Sequence, residues 1–454
     1  MTGTVLRRKA YQKLLEWKEG SKGRTAMLID GSRRVGKTFL ATRFASENYR
    51  SALILDFSVA DGYVRELFTD GLMDLDVFFS KLMAYTRTRL YRRESVIVLD
   101  EVQSFPRARE ALKRLVEDGR YDYIETGSLM SIKQNVRDIV IPSEEDVLRL
   151  NPLDFEEFLW ALGDDVTMPY VRECFEAMRP LGAVHRSAMD SFRCYMLVGG
   201  MPQPVLAFLE NRDLADAEAS KRRLLRLFEQ DVAKYAGTSA GKVRGIFRSI
   251  PSELSRKDKE FRVSSLSKSA RAREYEDAFM WLEDGRVINQ CFNATDPSVG
   301  LSMYADPARH KCYMADTGLL VTMSLADRDG FSSDEYRGIL ADDLGVNEGM
   351  FMENVVAQEL HASGHELFYY ARYSAESGRN EIEVDFLVNR GGRICPVEVK
   401  SSKRITHRSL DKFVERFGDR TGQPYVLCSR DLEMKDGVAL IPVYMASLLR
   451  RETF

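Results

Sequence analysis

Cysteine, histidine and long apolar runs are all scarce in this chain. The six cysteines (Cys174, Cys194, Cys291, Cys312, Cys395, Cys428) form no C-x-x-C pair, and the five histidines show no ligand-like spacing. Free thiols are expected, with neither a disulfide framework nor a structural zinc. No stretch approaches the ~18 apolar residues of a spanning helix. The opening segment, MTGTVLRRKAYQKLLEWKEG, is charged and amphipathic where a secretory leader would be apolar. A cytoplasmic protein without a membrane partner is therefore expected. Neither sign of charge dominates, since 66 Lys+Arg stand against 69 Asp+Glu for a net charge of -3. Any nucleic-acid contact must then come from a local basic patch. Repeats and low-complexity linkers are absent as well. What remains, 44% hydrophobic residues in 454, is enough for packed cores and excludes intrinsic disorder. At about 100–200 residues per domain, the length predicts two to four domains.

Between residues 25 and 153, short apolar runs alternate with longer charged segments: TAMLID, SALILDF, SVIVLD, YDYIETGS and VLRL. Continuous apolar strands separated by helix-length spacers predict βαβ units and a parallel sheet covered on both faces. From about Asn151 to Val232 the pattern turns to long helices. Gly241 to Phe292 reads as three short helices and a hairpin, and after Gly345 an α+β pattern returns.

Immediately after the first apolar strand comes Gly31-Ser32-Arg33-Arg34-Val35-Gly36-Lys37-Thr38, followed by the helical run FLATRFASE. This is G-x-x-x-x-G-K-[ST] in a strand-loop-helix setting. The glycines let backbone N–H groups curl around a β-phosphate, Lys37 bridges β- and γ-oxygens, and Thr38 offers a hydroxyl to Mg²⁺. SVIVLDEVQ then ends a buried strand in Asp100 and Glu101. Asp100 is expected beside Thr38, within the magnesium shell, and Glu101 is placed to polarise an attacking water. Thr126 and Ser128, in YIETGS, are small hydroxyls suited to sensing a γ-phosphate, although such residues also serve as helix caps. ATP and Mg²⁺ are the cofactors implied.

These segments, together with NPLDFEEFL (Asn151 to Leu159), VGGMPQPV (Val198 to Val205), YMADTGLL (Tyr313 to Leu320), EVDFLV and VEVKSS, resemble a family of bacterial and archaeal AAA-type ATPases with an uncharacterised C-terminal domain. The resemblance runs along essentially the whole chain. It implies an ASCE-type P-loop domain with a parallel α/β sheet, then a winged-helix module, then an α+β domain similar to the PD-(D/E)xK restriction-endonuclease-like enzymes. The expected divisions are an AAA-like P-loop domain over 1–160, a helical region over 161–235, a winged-helix-like region over 236–340 and the PD-(D/E)xK-like domain over 341–454. No arginine finger stands out. Arg33 and Arg34 lie inside the loop, and Arg137, Arg149, Arg193 and Arg222 are candidates.

Val263 to Leu282 has the layout of a helix-turn-helix. Ser264 or Ser265 would cap the first helix, and Tyr275, Ala278, Phe279 and Leu282 would pack inward from the second. Its outer face carries Glu274, Glu276, Asp277 and Glu283, which repel phosphates. The basic residues Arg256, Lys257, Lys259, Arg262, Lys268, Arg271 and Arg273 just before it favour backbone contact or domain packing over base readout.

Near the C-terminus, Glu353 lies on the helix GMFMENVVAQEL, Asp385 in EIEVDFLV, and Glu398 and Lys400 in PVEVK. Strand alternation puts Glu398 and Lys400 on one face. A turn at Asn389 to Gly392 would bring their strand back beside Asp385. Asp385 and Glu398 would hold Mg²⁺, Lys400 would work on the water, and Glu353 would complete the shell or position it. A bland alternative is a solvated Glu/Lys ion pair, but each acid is flanked by apolar neighbours.

Two functions compete. One is an ATPase coupled to a Mg²⁺-dependent module acting on DNA or RNA. The other is a regulatory ATPase switch whose nuclease-like domain only binds a protein or nucleic-acid partner. A metabolite kinase fits the DEVQ acids and the TGS segment less well. A homo-oligomeric assembly stays open.

Overall fold

In the first apolar segments, alternate side chains feed two separate cores. Ala26, Leu28, Leu53, Leu55, Ile97, Leu99 and Tyr123 pack on one face of a sheet, and Met27, Ile29, Val96, Val98, Ile124 and Leu148 on the other. A strand buried on both faces needs such continuous apolar runs. The structure, a computed structural model, describes residues 4–127, 143–298, 300–325, 348–374, 379–402 and 405–450.

The chain forms two compact units. One comprises Arg7–Asn151 with Asp284–Arg286, and the other Met1–Leu6, Pro152–Glu283 and Val287–Phe454. The first holds β1 (Ala26–Asp30), β2 (Ser51–Asp56), β3 (Ser95–Asp100), β4 (Asp122–Gly127) and β5 (Glu145–Arg149), with helices α1 (Lys9–Ser21), α2 (Lys37–Asn48), α3 (Gly62–Asp70), α4 (Leu75–Thr86) and α5 (Pro106–Asp118). The strand order is β2-β3-β4-β1-β5, and every pairing is parallel. Strand β4 thus lies between the strand that enters the Gly31–Thr38 loop and the strand that ends in Asp100.

The second unit begins with the helices Phe155–Leu162, Thr167–Glu176, Ala183–Val198, Pro202–Asn211, Leu214–Tyr235 and Ala240–Leu254. A sheet of order β7-β6-β8-β9 follows, built from β6 (Ile288–Ala294), β7 (Ala305–Met314), β8 (Leu367–Ser374) and β9 (Arg379–Val384). A further sheet has the order β10-β11-β12-β14-β13, from β10 (Phe386–Arg390), β11 (Arg393–Lys400), β12 (Tyr425–Cys428), β13 (Glu433–Lys435) and β14 (Val438–Pro442). One core serves both sheets: Phe368, Tyr370, Ile382 and Val384 pack with Leu387, Ile394, Val426 and Leu440.

Three expectations change here. The expected division between residues 340 and 341 falls inside one sheet, because β6 pairs in parallel with β8 through Cys291↔Leu367, Phe292↔Phe368 and Asn293↔Tyr369. The helix-turn-helix gives way to single 3-10 turns at Val263–Ser265 and Ala272–Glu274 ahead of the helix Glu276–Asp284. Too few apolar residues lie between Arg262 and Glu274 to give a first helix a buried face, and short helices depend on such packing. EIEVDFLV is two strands, β9 paired with β8 and β10 paired with β11, with Asp385 at the break.

Three of the quoted motifs meet as packing. A Cβ on Gly200 would lie 2.1 Å from the Leu153 carbonyl oxygen, and one on Gly318 would lie 2.6 Å from the Gly199 backbone. Buried Asp316 accepts the Gly200 N–H at 2.6 Å, and Tyr195 donates to the Leu153 carbonyl at 2.7 Å. NPLDFEEFL, VGGMPQPV and YMADTGLL are therefore held in one polar knot inside the second unit, where close backbone approach requires glycine.

Candidate functional sites

The loop after β1 needs its glycines. Gly36 has φ +100°, and a Cβ on Gly31 would lie 2.4 Å from the Leu150 carbonyl oxygen. Lys37 begins α2 buried and donates to the carbonyls of Gly31 at 2.9 Å and Ser32 at 3.0 Å. Burial lowers its pKa, while the nearby Glu101, Asp30 and Asp100 oppose that shift. The buried Ser32 hydroxyl has no hydrogen-bond partner among the described residues, so the loop keeps a spare polar atom suited to a phosphate.

Across the sheet, Thr38 donates its hydroxyl to Asp100, 2.9 Å from Oδ1. Thr126, on β4, donates to the same Oδ1 and accepts the Glu101 backbone N–H at 3.3 Å. Glu101 adopts φ +55° and takes a hydrogen bond from Gln103. A non-glycine residue in the left-handed region is uncommon. Thr38, Asp100, Glu101 and Thr126 thus surround the end of the loop, and the Thr38–Asp100 oxygen pair suits a hard cation such as Mg²⁺. Arg33, Arg34 and Val35 form the loop's middle, with Arg34 at φ +69°. Ser128 and Arg137 lie outside the described residues. Arg193 and Arg222 pair with Asp190 and Glu218 on their own helices. Sequence reasoning missed Arg286, whose Nε lies 2.9 Å from Oδ2 of buried Asp30 at the end of β1.

In the second unit, Gly391 and Gly392 at φ +60° and +72° close a two-residue hairpin, pairing Phe386 with Val397. Val399 N–H donates to Asp385 Oδ2 at 2.9 Å, and Lys400 Nζ lies 3.1 Å from Glu398 Oε2. Burial raises the Glu398 carboxyl to about 7 against the pull of Lys400. Glu353, in contrast, is held at about 2: burial pushes it up, but Lys311 and Lys259 overcome it.

Lys311 was not expected. On β7, with a side chain 1% exposed, its Nζ lies 3.1 Å from Glu353, 3.5 Å from Asp385 and 3.8 Å from Glu383. Lys259, at φ +51°, and Tyr313 also bind Glu353. Both carboxylate oxygens of Glu353 are thereby engaged. Glu353, Asp385 and Glu398, expected to share a metal shell, each have a lysine nitrogen within 3.5 Å. Among the described residues, no group of three or more His, Cys, Asp or Glu side chains is arranged to hold a metal ion. The available signal was alternation: Lys311 and Tyr313 share a strand face leading into YMADTGLL.

Against known protein families, residues 23–159 match the AAA domain. Over these residues the first unit is similar to AAA-type P-loop ATPase domains. Residues 189–330 match a domain of unknown function (DUF8612), and residues 348–445 match another (DUF4143). The search of curated proteins finds no match. Among solved structures, the chain is similar to the Walker-type ATPase paby2304 of Pyrococcus abyssi, with 15% identity, TM-score 0.40, and coverage of 71% of this chain and 98% of that one. It is also similar to the Drosophila ORC bound to DNA, with 15% identity, TM-score 0.29, and coverage of 70% and 94%. Among the described residues, no helix is long and apolar enough to cross a membrane.

Proposed function

We propose that the protein binds and hydrolyses ATP with Mg²⁺, and that this turnover acts on a second unit that engages a nucleic-acid or protein partner. The observation that carries the ATPase reading is the hydrogen-bonded set of Thr38, Asp100 and Thr126 at the end of a phosphate-type loop. Gly31 to Thr38 would wrap the phosphates, Lys37 would bridge the β- and γ-oxygens, and Thr38 and Asp100 would hold the magnesium. The metal's contribution would be to neutralise phosphate charge. Glu101 would take the proton of the attacking water, and Thr126 would fix the direction of both acids. Exposed Lys257, Arg262, Lys268, Arg271 and Arg273 supply phosphate contacts for a nucleic-acid partner.

A second reading, Mg²⁺-dependent cutting of nucleic acid, is favoured by the hairpin that brings Asp385, Glu398 and Lys400 together. Phosphate release from ATP by the full chain and by Lys37→Ala tests the first. Wild-type turnover in Lys37→Ala would sink it. Labelled single- and double-stranded DNA and RNA, incubated with Mg²⁺ or Mn²⁺ with and without ATP, separate binding from cutting.

A further inference from the structure

Divalent magnesium takes oxygen ligands at about 2.0–2.1 Å in a near-octahedral shell and keeps several waters. The acids of the second unit offer such oxygens in number, yet each already has a cation. Glu353 has Lys311 and Lys259, Asp385 has Lys311, and Glu398 has Lys400. Lys311 is the centre of this arrangement: its ammonium donates to Glu353 at 3.1 Å and lies 3.5 Å from Asp385 and 3.8 Å from Glu383. The Tyr369 ring, its centroid 5.1 Å from Nζ, adds a cation–π contact.

The backbone holds the ammonium there. Lys311 pairs with Cys291 across β6–β7 and bridges to Glu260 on its other side. Its strand is therefore fixed at both edges, and only the side chain could swing. A swing would leave buried Glu353 facing the partly exposed Asp385 and Glu383 with no ammonium between them. A divalent ion bound on Asp385 without that swing would sit within a few ångströms of a buried positive charge.

We infer that Lys311 is the resident cation of this cluster, so that the wild-type protein excludes divalent metal from Glu353, Glu383 and Asp385 while the ammonium is in place. Four carboxylates and three ammonium groups form a closed group, and the site becomes a divalent-cation site only when the Lys311 ammonium is removed. The inference is independent of the ATPase reading, since it uses no residue of the first unit. It bears on the second reading alone: metal-assisted cutting at Asp385 would first require the Lys311 ammonium to leave.

The test uses the full chain without nucleotide and Mn²⁺ as the probe, with bound ion counted by electron paramagnetic resonance. Wild type and Lys311→Arg should take up no Mn²⁺ that Asp385→Asn removes. Lys311→Met should gain a single Mn²⁺ per chain, and the double variant with Asp385→Asn should lose it again. Thermal melting covers the case in which Lys311→Met folds poorly. Mn²⁺ should raise its melting temperature while leaving wild type and Lys311→Arg unchanged. Asp385-dependent Mn²⁺ binding in wild type would overturn the inference. So would a Lys311→Met protein with neither an added ion nor a Mn²⁺-dependent rise in melting temperature.

Discussion

Thr126 joins the two acids of the P-loop domain: its hydroxyl donates to Asp100 and accepts the backbone N–H of Glu101 at 3.3 Å. One small side chain on β4 therefore sets the orientation of a carboxylate on β3 and of the residue that follows it. Thr126→Val keeps the shape and removes both bonds. ATP turnover should fall roughly 10-fold or more, with nucleotide affinity nearly unchanged, because the loss is in alignment. Steady-state phosphate release and a fluorescent-nucleotide titration on the same preparation would read the two effects separately.

Glu101→Gln should retain ATP and stop consuming it. The amide cannot accept the water's proton, so a loss of about 10²- to 10⁴-fold in turnover is expected. Single-turnover kinetics with radiolabelled ATP would check this, and near-normal turnover would assign the proton to another group.

Gly200→Ala should destabilise the second unit. The added methyl would meet the Leu153 carbonyl oxygen at 2.1 Å, against backbone that cannot swing aside. A cost of about 3 kcal/mol is expected, at the upper end for overpacking. Urea denaturation followed by far-ultraviolet circular dichroism would measure it, and the same substitution at Gly241, where a Cβ meets nothing within 4 Å, would serve as the control.

Glu398 should give the protein a pH-dependent stability. Its folded pKa of about 7 lies above the ordinary 4.5, so the folded state keeps a proton that the unfolded chain releases. The contribution is fully present below about pH 4.5 and is lost as pH rises through about 7, amounting to about 3 kcal/mol. Glu353, held at about 2, acts oppositely: its stabilisation is present above 4.5 and lost as pH falls toward 2. Between about pH 5 and pH 8 the Glu353 contribution is constant. Buried His310, whose pKa is lowered, and Glu125, whose pKa is raised, also contribute, so the Glu398 share is the difference between wild type and Glu398→Gln. Glu398→Gln should therefore melt at more nearly the same temperature across that range than wild type does.

The first unit was legible because each of its signals is contiguous. A strand, a turn and a catalytic-type residue follow one another in ten residues or so of sequence, and the apolar runs carry their own period. Lys37, Thr38, Asp100 and Thr126 come together from three such segments. The second unit resisted for the opposite reason. The β6–β8 pairing joins Cys291 to Leu367 with no local mark, and Lys311 is one lysine in a short strand. Arg286 gave no signal either, as it belongs to the three-residue stretch Asp284–Arg286, which is part of the first unit although its neighbours in sequence are not. The basic stretch before Glu276 looked helical from its serine caps, but caps end helices and do not supply the apolar face that stabilises them.

The β6–β8 pairing also bears on how this protein can be divided. A fragment starting near Gly345 would carry β8 without β6, leaving the backbone groups of Leu367 to Tyr369 on that edge unpaired. A bare strand edge is a template for other chains. Such a fragment would seek a replacement strand and self-associate, whereas one starting near Pro152 would keep the sheet's own neighbour and stay monodisperse.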